Sequence, residues 1–197
     1  MKKGPFLRKV IFFSCFFVVM NSLIILPSDA AGSCQFGYRA TDFDDEADPI
    51  CEEIYWSFKK TDDGFDKITI ASIDVDNSII GGSDYGFSLV VRCTSKKLEV
   101  FAASDDYEMF YKSAYTSGGT VKVKFDSGSI KNYRFAKSTD NQAIFISVAK
   151  TFATALAKAK KSVSLKFSSS RGNVTLQFPV SDFAQHKKAF TTGGCKF

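Results

Sequence analysis

The stretch TVKVKFDSGSIKNYRFA, residues 120–136, decides the fold. Val121, Val123 and Phe125 alternate with Lys122 and Lys124, and a period of two puts one face of a strand in a core and the other in water. The small residues SGS at 127–129 follow, then IKNYRFA resumes an extended pattern at 130–136, so the stretch reads as an antiparallel hairpin.

The same pattern extends to both sides. YGFSLVVRC (85–93) and KLEVFAA (97–103) flank TSKK as a second hairpin, and SVSLKFS (162–168) and NVTLQFPV (173–180) flank SSRG as a third. KITIASIDV (67–75) reads as a half-buried strand that NSIIGGSDYG interrupts with turn chemistry. Between the later hairpins the period changes. STDNQAIFISVAKTFATALAKAKK (138–161) opens on Ser138, Thr139 and Asp140, residue types that cap helices, and Ile144, Val148, Phe152 and Leu156 recur every four residues. Lys158, Lys160 and Lys161 stand at its end, where the helix dipole favours cations. SDFAQHKKAF (181–190) reads as a short last helix capped by Ser181. The expected class is α+β: an antiparallel sheet or sandwich of about six to eight strands, with one long helix at about 140–160 and a short C-terminal helix.

The N-terminus has the layout of an export signal. Lys2, Lys3, Arg8 and Lys9 precede an apolar run from Val10 to Leu26, and Ser28-Asp29-Ala30 supplies the small residues a signal peptidase needs, favouring a cut before Ala31. The expected organisation is therefore a signal peptide at 1–30, an acidic disulfide-pinned loop segment at 31–55 and one α+β domain at 56–197. The basic head reads as bacterial, which places the chain in the periplasm or outside the cell with no stable membrane span after cleavage. Lipid anchoring at Cys34 is the weaker alternative, because Cys34 lies eight residues past Leu26 with polar Ser28 and Asp29 between.

Cleavage there would leave 167 of the 197 residues and lower the net charge from +5 to +2. It would also remove Cys15 and leave an even set, Cys34, Cys51, Cys93 and Cys195, which in an exported chain reads as two disulfides. Of three possible pairings the favoured one joins Cys34 to Cys51, closing a short loop, and Cys93 to Cys195, tying the C-terminus to a central strand. The charge is bipolar along the chain: residues 40–76 hold 12 acids and 3 bases, whereas 110–197 hold 15 bases and 3 acids. Either the two ends neutralise each other in the fold, or a basic face stays open for an anionic partner such as cell-wall polymer, lipid head groups or an acidic protein. Nucleic acid is not expected as a partner, since the basic residues are dispersed along alternating strands.

No catalytic constellation is legible, and no enzyme activity or cofactor is expected. The single histidine, His186, has Asp182 four residues before it, the spacing of an ordinary helical ion pair, and no GxSxG elbow presents a serine. Asp42, Asp44, Glu46 and Asp48 alternate but lack the glycine and distal glutamate of a calcium loop, and no CxxC offers a metal site. Tyr55, Trp56 and Phe58, and Tyr107, Phe110, Tyr111 and Tyr115, form two aromatic clusters that either fill the core or anchor an interface. Trp56, Tyr107 and Tyr111, with the outward Lys122 and Lys124, are the candidate interaction residues.

LVVRC (89–93), KLEVFAA, VKVKFD, YRFAKSTDNQAIF (133–145), VSLKF, VTLQFPVSDFAQHKKAF and a final Cys195 follow in order and approximate spacing, after an opening YWSF and DDGFDKITI. This series resembles the VasI family of exported accessory proteins associated with bacterial type VI secretion, over roughly residues 56–197. The resemblance implies a disulfide-stabilised, β-rich extracytoplasmic module without catalytic residues, and it implies the Cys93–Cys195 pairing. The expected function is a non-enzymatic binding module docking an envelope or secretion-system protein. The alternatives are an inhibitor or immunity protein whose acidic loop blocks a secreted hydrolase, and a hydrolase with an unrecognised site.

Overall fold

The computed structural model describes residues 36, 38–43, 49–62, 64, 66–80, 83–106, 109–110, 118–170 and 172–197, with the backbone alone at 38–43, 49–51, 76–80 and 83–85. Contacts divide the chain into 1–31 and 32–197, and every described residue belongs to the second unit. The expected export signal, Cys34, Tyr107 and Tyr111 lie outside the described residues.

Among the described residues eleven strands and two helices follow in order: β1 (Tyr38–Phe43), β2 (Pro49–Glu53), β3 (Ser57–Asp62), β4 (Lys67–Ile80), β5 (Ser83–Thr94), β6 (Lys97–Ser104), β7 (Gly118–Phe125), β8 (Lys131–Lys137), β9 (Ala143–Ile146), α1 (Ala149–Leu156), β10 (Ser162–Ser169), β11 (Gly172–Pro179) and α2 (Phe183–Thr192). The first two strands pair with each other, so part of the expected N-terminal loop segment is a hairpin. The other nine form one sheet in the order β11-β10-β7-β8-β9-β6-β5-β4-β3, with antiparallel neighbours throughout.

The three expected hairpins are present, and their alternation decides which face is core. Phe87, Leu89, Val91 and Cys93 of β5 are buried, as are Val121 and Val123 of β7 and Leu176 and Phe178 of β11. The β5–β6 turn is tighter than the four residues expected: Ser95 and Lys96 alone make it, both left-handed, as a type I′ hairpin turn requires. The strands before it are longer than expected, because β4 continues through Asn77–Ile80 with a register shift there.

The expected helix at 140–160 is overturned, and so is the count of six to eight strands. Ser138 and Asp140 build a tight turn instead of a cap. The Ser138 hydroxyl donates to Asp140, whose carboxylate accepts the Gln142 N–H, while Ser138 Oγ accepts the Ala143 N–H and Asn141 sits at φ +59°. Ile144 and Ile146, two residues apart, are then buried on the core side of β9 and Phe145 faces outward against Phe101. The four-residue periodicity fails at Val148, which is 48% exposed, leaving only the eight residues of α1 as helix. Phe152 of α1 packs its ring against Phe125 and Tyr133.

The sheet curls: β11 and β4, far apart in strand order, lie in contact. Trp56, at the entry to β3, ties that end of the sheet to β11 and the start of α2. Its ring is 4% exposed, its indole N–H donates to the Pro179 carbonyl at 3.1 Å, and its backbone N–H donates to Asp182 at 3.0 Å. Asp182 occupies the N-cap position of α2, so the expected Ser181 cap is displaced by one residue and the capping carboxylate serves β3 instead. Phe183 and Phe190 of α2 are buried beside Trp56, Phe58 and Phe197.

Cys93 and Cys195 form the expected disulfide, with Cα atoms 5.9 Å apart. Gly194, at φ +91°, turns the chain out of α2 so that the Cys195 N–H reaches the Phe190 carbonyl. A Cβ at Gly194 would meet Lys96 at 2.9 Å, so a side chain there is excluded by both strain and space. The Cys34–Cys51 pairing lies outside the described residues; of Cys51 only its place in β2, opposite Ala40, is described.

Candidate functional site

Strands β7, β8, β10 and β11 turn their polar positions to one side of the sheet. Lys122 pairs with Asn132 on β8 and with Lys166 on β10, and Lys166 pairs in turn with Thr175 on β11. On one flank of that row Lys124 pairs with Ser164 and Ser164 with Gln177; on the other Thr120 pairs with Arg134, and Ser168 with Asn173. All are exposed except the half-buried Ser164 and Ser168. The face therefore holds four cations amid hydroxyls and amides, with no carboxylate.

Like charges directly opposite across paired strands repel, and Lys122 and Lys166 are such a pair. Among the described residues none of Lys122, Lys124, Arg134 and Lys166 is in an ion pair. The ion pairs present join Lys67 to Asp62, and Arg92 and Lys97 to Glu99, on the acidic half of the sheet. Glu99 is the most engaged of these: burial raises its pKa, but hydrogen bonds from Lys97 and Arg92 outweigh that and hold it below the ordinary carboxylate value.

Asp126 follows the last residue of β7, two residues past Lys124. Its carboxylate accepts the backbone N–H groups of Lys160, Lys161 and Ser162, and its own N–H donates to the Ser162 carbonyl. The Lys160 N–H bonds, followed by that of Ser162, hold its pKa below the usual value. These bonds fasten the segment carrying the exposed Lys158, Lys160 and Lys161 beside the β7–β8 turn.

The sequence-derived candidates separate. Lys122 and Lys124 stand together on this face as expected. Trp56 is a core residue, so its place as an interaction anchor is withdrawn: its ring sits against Phe183 at 4.6 Å. Phe110, of the second aromatic cluster, is also buried, against Phe167. The expected Asp182–His186 ion pair is absent among the described residues. Asp182 accepts from Trp56, and the His186 ring stacks on Phe58 at 4.9 Å with Nε2 buried and without a protein hydrogen-bond partner. Lys166 and Arg134 were not singled out from the sequence; their alternation was visible, but the register that places Lys166 against Lys122 was not.

Among the described residues no group of three His, Cys, Asp or Glu side chains is placed to hold a metal ion, and no helix is long and apolar enough to cross a membrane. No protein-family model, curated protein or solved structure matches this chain.

Proposed function

We propose that the chain is a non-enzymatic, exported accessory module of the bacterial envelope, akin to the VasI-like proteins it resembles, and that it docks an anionic envelope component on the β7–β8–β10–β11 face. The opposition of Lys122 and Lys166 carries this reading. A fold selected for stability alone has no use for an uncompensated like-charge pair on adjacent strands, whereas an anion seated between them turns repulsion into attraction. The Cys93–Cys195 bridge supports the compartment, because disulfides persist where the surroundings are oxidising.

The test is in-cell photo-crosslinking from residue 122 or 166, with residue 59 on β3 as the control. Adducts to an envelope component that form from 122 and 166, and fade when Lys124 and Arg134 are replaced by serine, support the reading. Equal adducts from residue 59 overturn the docking face. Turnover of a substrate that His186→Ala destroys would restore the hydrolase alternative.

A further inference from the structure

We infer that the occupant of this face is a linear anionic polysaccharide, a chain of hydroxyl-rich sugars bearing carboxylate, sulfate or phosphate groups. The inference rests on the docking face proposed above and names what sits on it.

The cations are arranged as a file. Lys122 and Lys124 are two residues apart on one strand, about 7 Å along it, and Arg134 and Lys166 stand on strands about 4.8 Å to either side. Arg134, Lys122 and Lys124 thus follow one another across the face, with Lys166 doubling the charge at Lys122. Lys158, Lys160 and Lys161 are exposed on the segment that Asp126 fastens beside the β7–β8 turn, two residues past Lys124, and add to the positive field at that end. A small anion meets only the Lys122–Lys166 pair, whereas a polymer with charges recurring along its length meets the whole file.

The positions between the cations discriminate among polymers. Thr120, Asn132, Ser164 and Gln177 offer hydroxyl and amide groups that both donate and accept, which suits sugar hydroxyls, and on the same face the Ser168 hydroxyl donates to the Asn173 amide oxygen, leaving the amide N–H groups of Asn173 to donate. Single-stranded nucleic acid is held by stacking its bases on aromatic rings, and this set of positions contains no ring. A membrane surface calls for apolar side chains that enter the headgroup region. On these four strands the face offers only the methyl of Ala136; Phe145 of the adjoining β9, opposite Ala136, is half-buried against Phe101, and the exposed Ile130 and Val148 stand in the segments at the border.

Binding of the full-length protein to heparin oligosaccharides and polygalacturonate, measured by biolayer interferometry over a salt series, tests this. Dextran, oligo(dT), inorganic polyphosphate and phosphatidylglycerol vesicles serve as comparison probes. Both anionic glycans are expected to bind in a salt-dependent way and dextran not at all. Lys122→Ser/Lys166→Ser should weaken glycan binding by about tenfold or more and flatten the salt dependence, while Lys59→Ser/Lys188→Ser, removing the same charge elsewhere, changes little. Asn132→Ala/Gln177→Ala should weaken glycan binding and spare polyphosphate. The inference is overturned by no glycan binding at low salt, by equal losses in the control variant, or by tighter binding of oligo(dT) or vesicles through the same lysines. Crosslinks from residue 122 to an acidic protein, without glycan binding, would overturn the glycan and leave the docking face standing.

Discussion

The backbone N–H of Trp56 donates to the carboxylate of Asp182, 126 residues later in the chain, at 3.0 Å. With the indole bond to Pro179 it closes the curl of the sheet, because it joins the entry of an edge strand to the segment that leaves the opposite edge. Asp182→Ala leaves a partly buried N–H without a partner and should destabilise the fold by about 1–3 kcal/mol, with Asp182→Asn costing less. Urea unfolding measures both; equal losses would mean that the acceptor is not what the residue supplies.

The Cys93–Cys195 bridge closes a separation of 102 residues. Chain-entropy arguments give about 4–5 kcal/mol for a loop of that length. The variant with both cysteines replaced by alanine should therefore unfold at markedly lower urea than the oxidised protein. Reducing agent should shift the wild type the same way and by more than it shifts the variant, in which the expected Cys34–Cys51 bridge alone is left to reduce.

Asp126 ties the β7 end to the segment before β10, and its folded pKa lies below the ordinary 3.8. A group whose pKa is lowered by folding adds stability above the unfolded value and loses it as pH falls through the folded one. The wild-type melting temperature should thus drop below about pH 4. Asp126→Asn should be less stable at neutral pH and show a shallower fall in that acid window.

Lys166→Thr removes one member of the opposed lysine pair. Relief of the repulsion should raise stability by about 0.2–0.5 kcal/mol at low salt, an increment that salt erases, while anion binding weakens. A variant that gains stability and loses binding separates a functional cause for the pair from a structural one.

His186 buries Nε2 without a protein partner while its ring stacks on Phe58. Replacing an unsatisfied polar ring by an apolar one of similar shape is neutral or favourable, so His186→Phe should melt at or above the wild-type temperature. A loss of more than about 1 kcal/mol in denaturant unfolding would show that the nitrogen has a partner worth keeping.

The hairpins were legible because alternation is local: Val121, Val123 and Phe125 announce their face without reference to any other strand. The helix at 140–160 was misread because Ser138 and Asp140 suit a turn as well as a cap, and the spacing of Ile144, Val148 and Phe152 says nothing of a vacancy between β6 and β8 that a four-residue strand fills. Trp56 was ambiguous for a similar reason, since a lone tryptophan serves a core or an interface equally well. Its burial follows from partners at 179 and 182.

Composition and local pattern alone determined the antiparallel hairpins and the bipolar charge, because each depends on residues that carry their own signal; the pairing of Cys93 with Cys195 was one of three that four cysteines allow, and the fold that brings α2 back to β5 decided it. The basic face was decided by tertiary structure. Lys122, Arg134 and Lys166 belong to three strands whose alternation points each outward, but only the register of β7 against β8 and β10 sets Lys166 opposite Lys122 and Arg134 diagonally from it. That register is set by the buried residues on the other face and by the turns that join the strands.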